Sequence, residues 1–211
     1  MASHERLAIV AGATGLVGLE LVRQLARDDA WTEVRALTRR PLPDGLASPR
    51  LIEIDVDYAA LDPAPAWADA THVFCALGTT MKRAGSPEAF RRVDFEFVVS
   101  LARAARAQGA RHFLLVTAVS ASPASRFFYN RVKGEVEAAV AALGFPSLTI
   151  ARPSLLLGPR GEWRLAEQAG TLLGVVAPPR WKPVHARQVA RALIDAAKRD
   201  EPGIAILENH D

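Results

Sequence analysis

A chain of 211 residues, half of them apolar, is long enough to bury a full core in one compact domain spanning 1–211. Its 26 Lys and Arg against 23 Asp and Glu leave a formal charge of only +3. The basic residues are scattered and not interleaved with aromatics, so a nucleic acid is not an expected partner. No apolar stretch reaches the length of a membrane span, the start MASHERLAIV lacks signal-peptide character, and the single Cys75 cannot form an internal disulfide. These features predict a cytoplasmic protein with no membrane partner, and Cys75, inside the apolar run HVFCAL, as a buried structural thiol.

In chain order, short apolar runs alternate with helical patterns. Strands are expected over 6–11, 34–38, 51–56, 72–77, 112–117, 147–152 and 203–208, and helices over 15–28, 87–109, 127–143, 161–174 and 185–199, with a weaker one near 58–68. Continuous apolar strands alternating with helices predict an α/β fold whose parallel sheet is covered on both faces. The Pro-rich pieces PLPDGLASP and VVAPPRWKP read as surface connections, not domain boundaries.

The first strand runs into GATGLVG, a strand, tight turn and helix in which exposed backbone N–H groups can hold a phosphate. Gly12 lets the chain turn, Gly15 admits a pyrophosphate, and Gly18 lets the helix pack close to its strand. Thr14, Leu16 and Val17 complete the expected cofactor contacts of this turn. Twenty residues beyond Gly18 stands Thr38, followed by Arg39 and Arg40. A carboxylate at this strand end would repel a 2′-phosphate, whereas a hydroxyl with two guanidinium groups holds one, so NADP(H) is expected over NAD(H).

At the third strand end, Asp55 is placed to accept from an adenine amino group and Val56 to pack on the ring, although a strand-end turn explains the carboxylate equally well. The fourth strand runs into Leu77, Gly78 and Thr79, where ligands bind open α/β sheets. Lys82 nearby is either a phosphate or substrate contact or an exposed loop lysine.

The chemistry is expected in VTAVSASPASRFFYNRVKGEVEAAV. Tyr129 and Lys133 form YxxxK, whose spacing puts both side chains on one helical face. A nearby ammonium favours phenolate, which suits Tyr129 to proton transfer at a carbonyl oxygen during hydride transfer. Thr117 is the expected hydroxyl that positions the carbonyl, with Ser120 its rival.

Together GATGLVG, the TRR at the second strand end, CALGTT and YNRVKGEVE resemble short-chain dehydrogenase/reductases. The resemblance is narrower to the small atypical members related to the Tat-interacting oxidoreductase of animals and its bacterial relatives, and it runs from Leu7 to the C-terminal ILEN. It implies a Rossmann-like, doubly wound, three-layered sheet with NADP(H) held by Gly12, Gly15, Gly18, Arg39 and Arg40, and Tyr129 with Lys133 as the catalytic pair. The chain departs from the pattern at Thr117 and Ser120, where relatives carry serine and glycine. It departs also at Asp94, which stands where extended members often have an asparagine. A carboxylate there would hold Lys133 charged more strongly, or be structural.

Beyond Lys133 the chain is less informative. Arg152, Pro153 and Ser154 end the sixth strand where a substrate loop should begin, and Leu155, Leu156, Leu157, Trp163 and Trp181 are candidates for an apolar wall, although core packing accounts better for the leucines. About sixty residues follow, room for a small substrate region only, which argues against nucleotide-sugar epimerase or dehydratase chemistry. His185 reads as a helix cap, and the dispersed histidines predict no metal. The expected partner is a small-molecule substrate and the assembly a monomer or homodimer. The rival reading is an NADPH-binding regulatory protein with little or no turnover.

Overall fold

The structure, a computed structural model, describes residues 6–61, 69–157 and 181–209. Strands β1 (Leu7–Ala11), β2 (Glu33–Thr38), β3 (Leu51–Asp55), β4 (His72–Cys75), β5 (His112–Val116), β6 (Ser147–Arg152) and β9 (Gly203–Glu208) form one seven-stranded sheet. Its order is β3-β2-β1-β4-β5-β6-β9, with every pairing parallel. The chain moves outward from β1 to β3, then crosses back to β4 on the other side of β1. That reversal opens a crevice at the carboxyl ends of β1 and β4, where open α/β sheets bind ligands. Short β7 (Leu156–Leu157) and β8 (Val184–His185) pair in a separate two-stranded sheet.

Two cores clamp the sheet, because the central strands are apolar on both faces. Helices α1 (Leu16–Leu25) and α6 (Ala186–Arg199) cover one face, where Leu21, Val22, Leu193 and Ala197 meet Val10, Phe74 and Trp31. Helices α4 (Phe97–Ala107) and α5 (Phe128–Ala141) cover the other, where Leu101, Val136 and Val140 meet Ile9, Val73 and Phe113.

The expected strands are all present, the fourth shortened to His72–Cys75. The expected single helix over 87–109 is instead α3 (Pro87–Arg91), a π-helical turn over Arg92–Glu96, and α4. A short α2 (Met81–Ala84), capped by the Thr80 hydroxyl and closed by Gly85 at φ +81°, precedes them. No helix forms at Tyr58–Leu61, and the rest of the expected 58–68 helix, the 161–174 helix and Trp163 lie outside the described residues.

Candidate active site

The glycine turn is built by three different needs. Gly12 has φ +76°, and a Cβ there would lie 2.5 Å from the Ala76 carbonyl oxygen. At Gly18 a Cβ would lie 2.1 Å from the Gly12 oxygen, so a bare Cα is what lets α1 press onto the turn. Gly15 differs: it is exposed, and only the Gly12 oxygen, at 3.2 Å, comes near its missing Cβ. Gly15 is also the N-cap of α1, with no side chain capping it among the described residues and no acidic residue in the first turn. The Gly15 amide is spent on the Gly12 carbonyl, while Leu16, Val17 and Gly18 present the first-turn N–H groups that a helix leaves for an anion. The Val17 side chain itself is buried in the core, so Val17 can act only through its backbone.

A cleft of about 130 Å³ opens beside this turn. Gly12, Thr14 and Gly15 form one wall, Thr38, Arg39 and Arg40 another, and Leu77, Gly78 and Thr79 the third. Arg39 and Arg40 are exposed, and their loop is tied back where the Leu42 amide donates to Glu53 at 2.9 Å. Asp55 and Val56 do not line the cleft: Asp55 is exposed at the end of β3, and the Val56 amide donates to the Thr38 carbonyl. Tyr58 takes that position instead. Its buried hydroxyl accepts from the Gly12 amide at 3.3 Å and donates to the Leu37 carbonyl at 3.2 Å, and burial raises its pKa above that of an ordinary phenol. Lys82 is exposed while its neighbour Arg83 lines the cleft. Sequence reasoning missed Tyr58, for which the polar cluster IDVDY was the only signal, and within the loop after the fourth strand it singled out Lys82 where Arg83 lines the cleft.

Across Gly78 lies the YxxxK pair. Lys133 is buried, with Nζ 6.0 Å from the centre of the half-buried Tyr129 ring, which also packs against Phe90 at 5.4 Å. Lys133 Nζ pairs with Asp94 Oδ1 at 2.7 Å, and Asp94 Oδ2 accepts the Thr79 amide at 2.8 Å. Asp94 is fully buried on the π-helical turn, a distortion that recurs at functional sites. A Cβ on Gly78 would stand 3.3 Å from Asp94 Oδ1 and 3.6 Å from Lys133 Nζ, so the bare backbone of the cleft covers the ion pair directly. Burial pushes the Lys133 ammonium down, but Asp94, Tyr129 and Cys75 together outweigh it and hold Lys133 above an ordinary lysine. Cys75 is fully buried beside them and its thiol is pushed up to about 12, the inert structural thiol expected of it.

Thr117 is placed otherwise than expected. It is buried, and its hydroxyl donates to Glu137 Oε1 at 2.6 Å. Glu137 also holds Arg152, whose guanidinium reaches Glu208 at 3.2 Å. With its proton committed to a buried carboxylate, Thr117 has none to give a carbonyl. The rival Ser120 is exposed on the loop before α5 with φ +62°, and its own carbonyl accepts from Asn130. Leu155 and Trp181 are exposed, and Ser154 binds the Lys182 carbonyl. His185 is the N-cap of α6, its amide held by the Gln188 side chain.

The fold also assembles a group that spacing did not show. His72, His112 and Asp200 converge at the amino ends of β4 and β5, the opposite end of the strands from the cleft. Every imidazole nitrogen already meets a partner: Thr71 and Ala197 for His72, Asp200 and Thr149 for His112. This is a hydrogen-bonded clasp on the end of α6.

Comparison with known proteins agrees with the cleft. A family described as NAD(P)H-binding matches residues 12–200. The chain is 33% identical over 219 residues to the mitochondrial protein FMP52-1 of Scheffersomyces stipitis, covering 95% of this chain and 94% of that one. It is 34% identical to HTATIP2 of Rattus norvegicus, over 95% of this chain and 85% of that one. Among solved structures, MoeE5 in complex with UDP-glucuronic acid and NAD superposes with a TM-score of 0.77 at 22% identity, covering 96% of this chain and 75% of that one. That likeness shows the fold. The FMP52 relatives from Scheffersomyces stipitis, Eremothecium gossypii and Candida albicans are named as mitochondrial, which overturns the expectation of a cytoplasmic protein. No helix among the described residues is long and apolar enough to cross a membrane. The chain belongs to the NAD(P)H-binding family of atypical short-chain dehydrogenase/reductase-like proteins that includes HTATIP2 and FMP52, on a Rossmann-like fold.

Proposed function

We propose that the protein is an NADP(H)-dependent oxidoreductase that reduces a carbonyl, or oxidises the corresponding alcohol, on a small organic molecule. The observation that carries this reading is continuity: Gly78 and Thr79 are at once a wall of the dinucleotide cleft and the cover of the Lys133–Asp94 pair. The phosphate turn and the YxxxK pair therefore address one site.

The residues present fit a dinucleotide. The bare Gly15 and the first-turn amides of α1 receive the pyrophosphate. Arg39 and Arg40 line the cleft and make no ion pair among the described residues, which supports their holding an adenosine 2′-phosphate. When bound, the nicotinamide supplies or accepts the hydride. Tyr129 gives its hydroxyl proton to the carbonyl oxygen as the carbon gains hydride, and in reverse its phenolate takes the alcohol proton. Lys133 stays an ammonium, favours that phenolate and would hold the ribose of a bound cofactor. Thr117 holds Glu137 and takes no part in proton transfer.

Tyr129→Phe tests this reading: turnover should fall at least about a hundredfold, the usual contribution of a positioned acid, with NADPH affinity unchanged. Unchanged turnover would refute the role of Tyr129. Separate titrations with NADPH and NADH test the cofactor preference, and an NADH preference would overturn the roles of Arg39 and Arg40.

A second reading is a regulatory protein that binds NADPH and acts through a protein partner. It is favoured by the engagement of both Thr117 and Lys133 with buried carboxylates. It predicts partner binding that changes with NADPH and survives Tyr129→Phe. Pull-downs that recover the same proteins with and without NADPH would remove it.

A further inference from the structure

We propose that Asp94 is a positioning residue that couples the cofactor cleft to the proton-transfer pair, one carboxylate oxygen fixing the Thr79 amide in the cleft wall and the other fixing the Lys133 ammonium beneath Gly78. The inference rests on the oxidoreductase reading above and adds to it a residue that touches neither cofactor nor substrate.

The geometry sets two separable tasks. The first is mechanical. Thr79 belongs to the loop between β4 and α2, and its amide is held at 2.8 Å by a carboxylate with no solvent exposure. The π-helical turn that carries Asp94 lies between α3 and α4, so this single side chain ties the loop to the helical layer beneath it. The second task is electrostatic. A buried ammonium without a counter-charge gives up its proton several pH units early, and the 2.7 Å contact with Asp94 Oδ1 prevents this. The titratable groups acting on Lys133 are Asp94 from the π-helical turn, Tyr129 from α5 and Cys75 from β4. The Cys75 thiol stays neutral below about 12, and carbonyl reduction takes its proton from the Tyr129 hydroxyl. Asp94 is therefore the one negative charge in the set at neutral pH. Carbonyl reduction needs Lys133 as ammonium beside Tyr129, and Asp94 keeps that ammonium protonated toward alkaline pH.

Asparagine in place of Asp94 separates the tasks, because its side-chain oxygen still accepts from Thr79 but carries no charge. Asp94→Asn should bind NADPH within about threefold of the parent at pH 6, while the alkaline fall in kcat for carbonyl reduction moves down by about one pH unit or more, as expected for removing the charge 2.7 Å from Lys133 Nζ. Asp94→Ala removes both tasks and should weaken NADPH binding about tenfold as well, the equivalent of one lost hydrogen bond to a charged group. A uniform loss of kcat at every pH in Asp94→Asn, with the alkaline limb in place, would mark the residue as structural and overturn the proposal. Since removing a buried ion-pair partner can unfold a protein, the parent protein supplies an independent readout. The Thr79 amide, followed by NMR, should be protected from hydrogen exchange in the absence of cofactor, and exchange at the rate of an open loop would overturn the coupling. Loss of turnover in Tyr129→Phe with an unmoved limb in Asp94→Asn sinks this inference alone; turnover that survives Tyr129→Phe sinks the reading beneath it, while Thr79 protection still decides the mechanical half.

Discussion

His72 makes the protein's stability depend on acid in a calculable way. It is fully buried at the start of β4, its ring centre 5.0 Å from that of Trp31 in an edge-to-face contact, and burial pushes its pKa from 6.5 down to about 4. Asp200 pulls the other way, and the neighbouring His112 and Arg111 add to the depression. The native state therefore holds His72 neutral in the interval where the unfolded chain binds a proton. Stability from this group is fully present above pH 6.5, is lost progressively as pH falls, and is gone near pH 4. The difference is worth about 3 kcal/mol, with a slope of at most about 1.4 kcal/mol per pH unit. His112, likewise depressed by burial, adds in the same direction. Urea denaturation at pH 4.5, 5.5, 6.5 and 7.5, on the parent and on His72→Gln, isolates the contribution from the carboxylates common to both. The variant should be less stable at pH 7.5, having lost bonds to Thr71 and Ala197, yet visibly flatter between pH 6.5 and 4.5. Parallel pH profiles for the two proteins would refute the assignment.

Three further substitutions test the architecture of the cleft. Gly18→Ala places a Cβ 2.1 Å from the Gly12 oxygen, so α1 must back away from the turn. It should lower thermal stability by about 2 kcal/mol or more and weaken NADPH binding together; fluorescence titration and a melting curve read both. Tyr58→Phe removes the hydroxyl shared by Gly12 and Leu37 and should cost about 1–2 kcal/mol in denaturant unfolding. Thr117→Val leaves Glu137 without one donor and should destabilise by about 1–2 kcal/mol while kcat stays within threefold. A collapse of kcat without loss of stability would return Thr117 to the catalytic group.

Much of this arrangement is legible in the residues because it is local. A strand such as Leu7–Ala11 is a continuous apolar run, and the turn after it announces itself by Gly12, Gly15 and Gly18. The pairing of Tyr129 with Lys133 needs only helical spacing. What escapes is what depends on long-range meeting or on a slip in a regular element. Periodicity over 87–109 reads as one helix because a π-helical turn changes hydrogen bonding without changing composition, and that turn is what buries Asp94. Tyr58 meets Gly12 from 46 residues away, and His112 meets Asp200 from 88. Thr117 stands at the strand end a positioning hydroxyl should occupy, but it donates to Glu137, one helical turn beyond Lys133. The expected location failed for a different reason: it drew on the start of the chain and one cysteine, neither of which reports where relatives such as FMP52 reside.

The π-helical turn carries a consequence for how this protein can vary. Each residue of an ordinary helix advances its side chains by about 100°, whereas the wider turn over Arg92–Glu96 takes up one residue more, so removing one there would restore ordinary winding and abolish the turn that carries buried Asp94. The junction of α3 and α4 should therefore be intolerant of any change in length, even where it tolerates changes of residue type. A library of single-residue deletions across 86–100 would display that constraint as a narrow trough of inactive variants.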